Sequence, residues 1–136
     1  MIKAVIDTNV LVSGIFWTGT PARILQAWSE GRFRLLLSIP ILEEYARVIE
    51  EVGRRRLAIF DTRMLYLLTV RSEVVDPPRL PQRVCTDPDD DKFLETAVGG
   101  DADYVISGDR ALLRLQTFQG GRILKPAEFL HILTGS

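Results

Sequence analysis

At 136 residues, 46% hydrophobic and 26% charged, the chain is globular, and we expect one domain over residues 1–136. The net charge of −1 excludes a strongly basic nucleic-acid coat, but not an enzyme that acts on nucleic acid. The apolar stretches are too short to cross a bilayer, and the single Cys85 cannot form an intramolecular disulfide. We therefore expect a cytoplasmic protein with no membrane association.

The first elements are a short strand and a helix. Lys3–Ile6 is a β-rich apolar run that ends in the polar turn Asp7-Thr8-Asn9, a pattern typical of a buried strand. A helix is predicted to begin at Thr20-Pro21, because proline suits the first helical position. Gly31 is predicted to close this helix.

A second strand and two helices follow. Phe33–Leu37 is a strand candidate, and the apolar residues between Pro40 and Val52 recur at the three- and four-residue spacings of a helix. Gly53 and the arginines Arg54–Arg56 are predicted to end that helix. Asp61 is a candidate N-cap for the next one.

The second half of the chain continues the alternation. Val74-Val75 is predicted to be a short extended segment before a loop with prolines that runs to Gln82. The acidic run Asp87–Asp91 opens a helix that stops at Gly99-Gly100. The remaining elements are a strand, a short helix, a strand and a helix, at Tyr104–Ser107, Leu112–Leu115, Arg122–Leu124 and Pro126–Leu133. This alternation predicts an α/β fold, a three-layer α/β/α arrangement with a mostly parallel central sheet of four to five strands.

Four acidic residues fall where such a sheet places functional groups, at the carboxyl ends of its strands. Asp7 ends the first strand, and Asp109 follows the Tyr104–Ser107 strand. Glu44 lies early in the helix after the second strand, and Asp90 lies at the start of the helix before the Tyr104 strand. We expect these four carboxylates to share one rim of the sheet.

Asp90 has two acidic neighbours, and helix geometry separates them. At about 100° per residue, Asp90 projects within roughly 10° of the centre of its helix's apolar face. Asp89 and Asp91 fall about 90° or more to either side. Asp90 is therefore the better candidate for a site beside the core.

The earlier helix also offers two acids. Glu43 lies about 150° from the centre of the apolar face, and Glu44 about 110°. We select Glu44, which is predicted on the flank of the helix, and keep Glu43 as its competitor.

Each acid also has an ordinary structural interpretation. Asp7 suits a turn, Asp109 suits an N-cap, the Asp87–Asp91 run complements a helix dipole, and Glu44 suits a solvated helix face. Four converging carboxylates would repel one another, however, unless a cation relieved the repulsion. Mg²⁺ and Mn²⁺ prefer oxygen ligands and can activate water against a phosphodiester.

Five segments of the sequence resemble the PIN-domain nucleases, and together they cover nearly the whole chain. The closest resemblance is to the branch of bacterial and archaeal toxins similar to the VapC-type ribonucleases. The segments are Val5–Leu11, Ser38–Tyr45, Asp87–Leu94, Ala102–Asp109 and Ile123–Leu130.

The resemblance implies a metal-dependent endoribonuclease acting on single-stranded RNA. By the resemblance, Asp7, Glu44, Asp90 and Asp109 match the acidic quartet that binds Mg²⁺ or Mn²⁺. Polar residues lining the site match at Thr8, Asn9 and Ser107, and the family more often has threonine in place of Ser107. The resemblance also implies a homodimer and a cognate antitoxin protein.

Two further expectations concern the substrate contacts and the alternative functions. Arg110 and the Arg54–Arg56 cluster are candidates to guide the RNA backbone, although a solvated helix end explains the cluster equally well. One rival is a catalytically silent PIN-like module that binds RNA or protein. The other is a phosphoacceptor signalling domain, which Lys125-Pro126 would suit, but the Thr8-Asn9 pair after Asp7 and the late Asp109 do not fit it.

Overall fold

The computed structural model describes residues 1–56, 63–77 and 90–135. Several predicted features lie outside these ranges. They are the N-cap at Asp61, the part of the proline-bearing loop from residue 78 onward, Cys85 and the acidic residues 87–89.

Six strands and seven helices are formed by the described residues. None of these helices is long and apolar enough to span a bilayer. In chain order the elements are β1 Lys3–Ile6, α1 Thr8–Phe16, α2 Thr20–Ser29, β2 Arg34–Leu37, α3 Ile39–Arg55, α4 Arg63–Arg71, β3 Glu73–Val74, α5 Asp91–Gly99, β4 Tyr104–Ile106, α6 Arg110–Leu113, β5 Thr117–Phe118, β6 Gly121–Leu124 and α7 Pro126–Thr134.

The strands form one sheet in the order β3-β2-β1-β4-β6-β5. Every neighbouring pair is parallel except β5 and β6, which are antiparallel. The chain steps outward from β1 to β2 and β3, and then returns to the other side of β1 to form β4. The strand order therefore reverses between β1 and β4, and ligands of open parallel sheets bind at the carboxyl ends of the strands at such a point.

The core lies on both faces of this sheet. Ala4, Val5 and Ile6 of β1 are all fully buried, although successive side chains of a strand point to opposite faces. Both faces must therefore be covered, as expected for parallel strands between helical layers. Phe33 and Phe129 meet edge to face, with ring centroids 5.0 Å apart, and this contact packs α7 against the segment that leads into β2.

The fold class predicted from the sequence is confirmed: helices surround a mostly parallel central sheet. The sheet has six strands in the described part of the chain, whereas four to five were predicted. The two shortest strands have two residues each: β3 at Glu73–Val74 overlaps the predicted extended segment Val74-Val75, and β5 at Thr117–Phe118 was not predicted. Segments this short carry almost no periodicity.

The largest difference from the sequence prediction is α1, because residues 8–16 were not predicted to be helical. Asp7 is the N-cap of α1, and its Oδ1 accepts a hydrogen bond from the backbone N–H of Val10 at 3.0 Å. Gly14 lies against α2: a Cβ at this position would come within 2.7 Å of Leu25 Cδ1. The polar turn was therefore a helix cap, and the glycine allows two helices to pack closely.

The predicted end of α3 was also wrong. The helix continues through Gly53, which is buried, to Arg55. Two ion pairs at i,i+4 spacing cross the glycine: Arg54 pairs with Glu50, and Arg55 NH2 lies 3.6 Å from Glu51 Oε1. Such pairs, together with burial, offset the low helix propensity of glycine.

Candidate active site

Asp7 lies at the carboxyl end of β1, directly at the reversal of strand order. Its backbone N–H donates to the Ile106 carbonyl at 2.9 Å, which extends the β1–β4 pairing. Its side chain is 6% exposed. Oδ1 accepts from the Val10 N–H, and Oδ2 accepts from the Ser107 hydroxyl. The carboxylate is therefore held in one orientation by the first turn of α1 and by Ser107 at the end of β4.

The surroundings of Asp7 disfavour its negative charge. Burial raises the pKa of Asp7 above its usual value, and the charge of Asp109 raises it further. Hydrogen bonds from the Ser107 hydroxyl and from the Val10 and Gly108 amides act in the opposite direction. A cation bound beside Asp7 would favour its charged form.

Ser107 and Asp109 follow β4. Ser107 is fully buried, and its N–H donates to the Leu124 carbonyl at 3.0 Å. Its Oγ accepts from the Asp109 N–H at 2.9 Å while donating to Asp7. Asp109 caps α6 through the Ala111 N–H, 2.9 Å from Oδ1. The N-cap interpretation of Asp109 is thus confirmed, and the same residue acts electrostatically on Asp7.

Glu44 projects from the second turn of α3 toward the end of β1. The Thr8 hydroxyl donates to Glu44 Oε2, and Lys92 Nζ donates to Glu44 Oε1 at 2.6 Å. The Glu44 side chain is 17% exposed, whereas Glu43 is exposed. The structure therefore places Glu44, and not Glu43, beside Asp7 and Thr8.

Tyr45 links the same helix to the end of β1. It is fully buried, and its hydroxyl donates to the carbonyl of Ile6, the residue before Asp7. Burial raises the pKa of Tyr45 well above its usual value, and the charges of Asp7 and Glu44 add to this. Tyr45 therefore stays a neutral hydrogen-bond donor that fixes α3 relative to Asp7.

The four predicted acids line one cleft of about 230 Å³, together with Thr8 and Asn9. Ser107 lies behind Asp7 and holds its carboxylate. The full lining is Asp7, Thr8, Asn9, Glu44, Arg47, Val48, Asp90, Phe93 and Asp109.

The predicted RNA-guiding arginines are placed differently. Arg110 is exposed in the first turn of α6 and does not line the cleft. Arg54 and Arg55 pair with glutamates of their own helix, and the Arg56 guanidinium lies 4.5 Å from the centre of the Trp17 ring. The interpretation of the arginine cluster as a helix end on the surface fits these contacts.

Two cations that contact Glu44 were missed from the sequence, Arg47 and Lys92. Arg47 NH2 lies 3.7 Å from Glu44 Oε1, one helical turn along α3. The i,i+3 spacing from Glu44 was the available signal for Arg47. Lys92 comes from α5, 48 residues away in sequence, and only the tertiary fold brings it to Glu44.

The donor set of the cleft fits a hard divalent cation, because its acidic lining consists of carboxylate oxygens. The side chains do not converge into a ready-made cage: within residues 1–56, 63–77 and 90–135, no group of three His, Cys, Asp or Glu is placed to hold an ion. Lys92 already pairs with one oxygen of Glu44. One oxygen of Glu44 is thus already engaged by a cation of the protein itself.

Comparison with known proteins agrees with this fold. Residues 3–111 match the family model described as PIN domain. An uncharacterised protein of Methanocaldococcus jannaschii, MJ1680, is 34% identical over 118 residues, which cover 85% of this chain and 76% of that protein. The crystal structure of PAE2754 from Pyrobaculum aerophilum shares the fold, with a TM-score of 0.66 and 18% identity over 99% of this chain and 97% of that chain. PIN domains are typically nucleases that use divalent metals, and this chain belongs to the PIN domain family.

Proposed function

We propose that the protein is a divalent-metal-dependent endoribonuclease that hydrolyses phosphodiester bonds in single-stranded RNA. One observation carries this proposal. Asp7, Glu44, Asp90 and Asp109, which are far apart in sequence, line a single cleft at the carboxyl ends of β1 and β4. Clustered carboxylates at this position of a parallel sheet suit a divalent ion that assists the cleavage of a phosphodiester.

Asp7 and Asp90 would be the main ligands of the ion, Mg²⁺ or Mn²⁺, and Glu44 and Asp109 would complete the site directly or through water. A bound ion would lower the pKa of an attacking water and stabilise charge on the phosphodiester. Ser107 keeps the Asp7 carboxylate oriented, and Tyr45 holds α3 against the strand end. The protein's own contribution is thus a fixed set of oxygen ligands.

Substrate contacts are proposed for residues at the mouth of the cleft. Thr8 and Asn9 line it, and Arg110 follows Asp109 on an exposed rim. Hydroxyl, amide and guanidinium groups commonly bind the sugar–phosphate backbone. The RNA itself is proposed from the resemblance to ribonucleases of the family, with backbone contacts that carry no sequence preference.

The proposal is tested by incubating purified protein with a labelled single-stranded RNA, with Mn²⁺ or with EDTA. We expect cleavage with Mn²⁺, none with EDTA, and a loss of at least about 100-fold in Asp7→Asn, because removing an electrostatic group of this kind costs about that factor. Asp101→Asn is the matched control. Asp101 is exposed, lies before β4 at the opposite end of the sheet, and has a φ of 53° that asparagine tolerates.

Cleavage by Asp7→Asn at the parent rate would show that a contaminating nuclease is responsible, and the proposal would be wrong. Binding of Mn²⁺ that is lost in Asp7→Asn, without cleavage of any RNA, would instead favour the catalytically silent PIN-like module. Incorporation of label from a small phosphodonor would favour the phosphoacceptor domain.

The biological setting is a further part of the proposal: a cytoplasmic toxin of a toxin–antitoxin pair, acting as a homodimer. The sequence resemblance to VapC-type toxins supports it. Expression should then arrest growth, Asp7→Asn should not, and the product of a neighbouring reading frame should relieve the arrest. Light scattering of the purified protein should give twice the mass of 15.3 kDa. Growth unaffected by an active enzyme would refute the toxin role.

A further inference from the structure

A second cleft adjoins the acidic one. Its volume is about 350 Å³, and it shares Glu44 and Arg47 with the acidic cleft. Its full lining is Pro40, Glu43, Glu44, Arg47 and Lys92. Because two of its residues also line the acidic cleft, the two clefts adjoin at Glu44 and Arg47 on α3, and we call the pair of clefts the groove.

The charge of the lining changes along this groove. Four acids and one cation line the acidic cleft, whereas two acids and two cations line the second one. The lining of the acidic cleft would by itself repel the phosphates of RNA. Within the described lining of both clefts, Arg47 and Lys92 are the positively charged groups, so they are the groups that can attract a phosphate beside the acids.

The backbone of Lys92 is connected to the start of α3 through the Thr96 hydroxyl. Its carbonyl lies 2.8 Å from Thr96 Oγ1, and that same hydroxyl lies 2.9 Å from Ser38 Oγ, at the start of α3. The Lys92 and Glu44 side chains are 18% and 17% exposed. Removing such a pair from water carries a desolvation penalty that weakens it as a stabilising device, so folding stability alone does not explain its position.

Both cations have N–H groups that can donate hydrogen bonds to a phosphate. The Lys92 ammonium has three N–H donors, and Glu44 Oε1 is its one hydrogen-bond partner among the residues that the structure describes. The Arg47 side chain is 72% exposed and only loosely paired with the same oxygen at 3.7 Å. A guanidinium binds phosphate through two parallel hydrogen bonds, and an ammonium binds it as a point charge.

We propose that the second cleft is a subsite for a backbone phosphate of single-stranded RNA, contacted by Lys92 and Arg47. The inference rests on the proposed ribonuclease function and adds the direction in which the strand leaves the acidic cleft. The phosphate bound here is a neighbour of the one that is cleaved, since Asp7, Asp90 and Asp109 line only the other cleft.

The test is fluorescence anisotropy of a labelled ten-nucleotide RNA of mixed sequence, with Ca²⁺, between about 50 and 200 mM salt. Loss of one phosphate contact lowers the salt slope by about 0.7, which corresponds to roughly fivefold weaker binding near 100 mM salt. We expect both changes in Lys92→Met and in Arg47→Met, and near-parental binding in Lys92→Arg. With Mn²⁺, the same Met variants should raise KM for cleavage more than they lower kcat.

Lys3→Met is the matched control. Lys3 is also a partly buried lysine beside a glutamate, with Nζ 3.8 Å from Glu73 Oε2, but it lies at the amino end of β1. The Lys3→Met substitution removes the same charge and should leave the salt slope unchanged. If Lys92→Met fails to fold, the exposed Arg47→Met still decides the question.

An unchanged affinity and salt slope in Arg47→Met and in folded Lys92→Met would overturn the subsite, as would an equal loss in Lys3→Met. This outcome is separate from failure of the proposed function. A parent that cleaves RNA while both Met variants bind normally refutes only the subsite. A parent that never cleaves RNA refutes the ribonuclease.

Discussion

At the scale of single residues, Asp7 combines a structural role with a proposed chemical one. It caps α1 through Val10 and accepts the Ser107 hydroxyl, yet burial and Asp109 raise its pKa. Residues of functional sites are often retained at a cost in stability. The turn-former interpretation of Asp7 and its function therefore do not exclude each other.

The first prediction concerns the pH dependence of stability in EDTA. The folded-state pKa of Asp7 is raised above 3.8. The favourable contribution of Asp7 to the free energy of unfolding is therefore fully present below pH 3.8, and it is lost as the pH rises through the raised folded-state pKa. Asp7→Asn cannot ionise and can still cap α1. We expect its Tm to exceed that of the parent at pH 7, with a smaller difference at pH 4. A Tm difference that does not vary with pH, or that Asp101→Asn reproduces, would contradict this.

Ser107 gives a second prediction. Ser107→Ala removes the hydroxyl that donates to Asp7 and accepts from the Asp109 N–H. Leaving these two partners unsatisfied should lower the free energy of unfolding, measured in urea, by about 1–3 kcal/mol. The cleavage rate should also fall about tenfold, because Asp7 loses its orientation. Ser107→Thr keeps the hydroxyl and should remain close to the parent in both measurements. Full activity in a folded Ser107→Ala protein would argue against the positioning role.

Some residues of the site could be predicted from the sequence, and others could not. Asp7 and Asp109 follow from strand ends, and helix geometry places Asp90 and Glu44 toward the cleft that they line. Lys92 could not be predicted, because its contact with Glu44 spans 48 residues. Arg110 was expected near the substrate but lies outside the cleft lining, since α6 directs it to solvent.

At the scale of elements, strongly periodic segments were predictable and α1 was not. Its consecutive apolar residues Val10, Leu11 and Val12 are all buried, so they show no helical alternation of polar and apolar positions. Gly14 adds a residue that disfavours helix. Tertiary packing against α2 and α3 decides the conformation of this segment.

Gly14 supplies the third prediction. In Gly14→Ala, the new Cβ would lie 2.7 Å from Leu25 Cδ1 and 2.8 Å from the Pro21 carbonyl oxygen. Helix propensity favours alanine by about 1 kcal/mol, but overpacking against backbone costs about 1–3 kcal/mol. We expect net destabilisation in urea unfolding. Gly108→Ala, whose Cβ would meet open space, should change stability by less than about 0.5 kcal/mol. Equal stability of the two variants would show that α1 and α2 can separate without cost.

At the scale of the whole molecule, the parallel sheet explains why distant residues meet. Reversal of strand order between β1 and β4 brings the carboxyl ends of two adjacent strands together. Asp7 and Asp109 follow these strands, and α3 and α5 bring Glu44 and Asp90 to the same cleft. The alternation of strand and helix patterns predicted a mostly parallel sheet covered on both faces, whereas the order of the strands comes from the structure.

The central claim is that these four acids form one metal site. Anomalous diffraction from crystals grown with Mn²⁺ tests it most directly. We expect a peak in the acidic cleft within about 2–2.5 Å of carboxylate oxygens of Asp7 and of at least one other member of the quartet, and no peak there in Asp7→Asn crystals. An empty cleft, or a peak bound only elsewhere, at a Mn²⁺ concentration that supports RNA cleavage would contradict the claim.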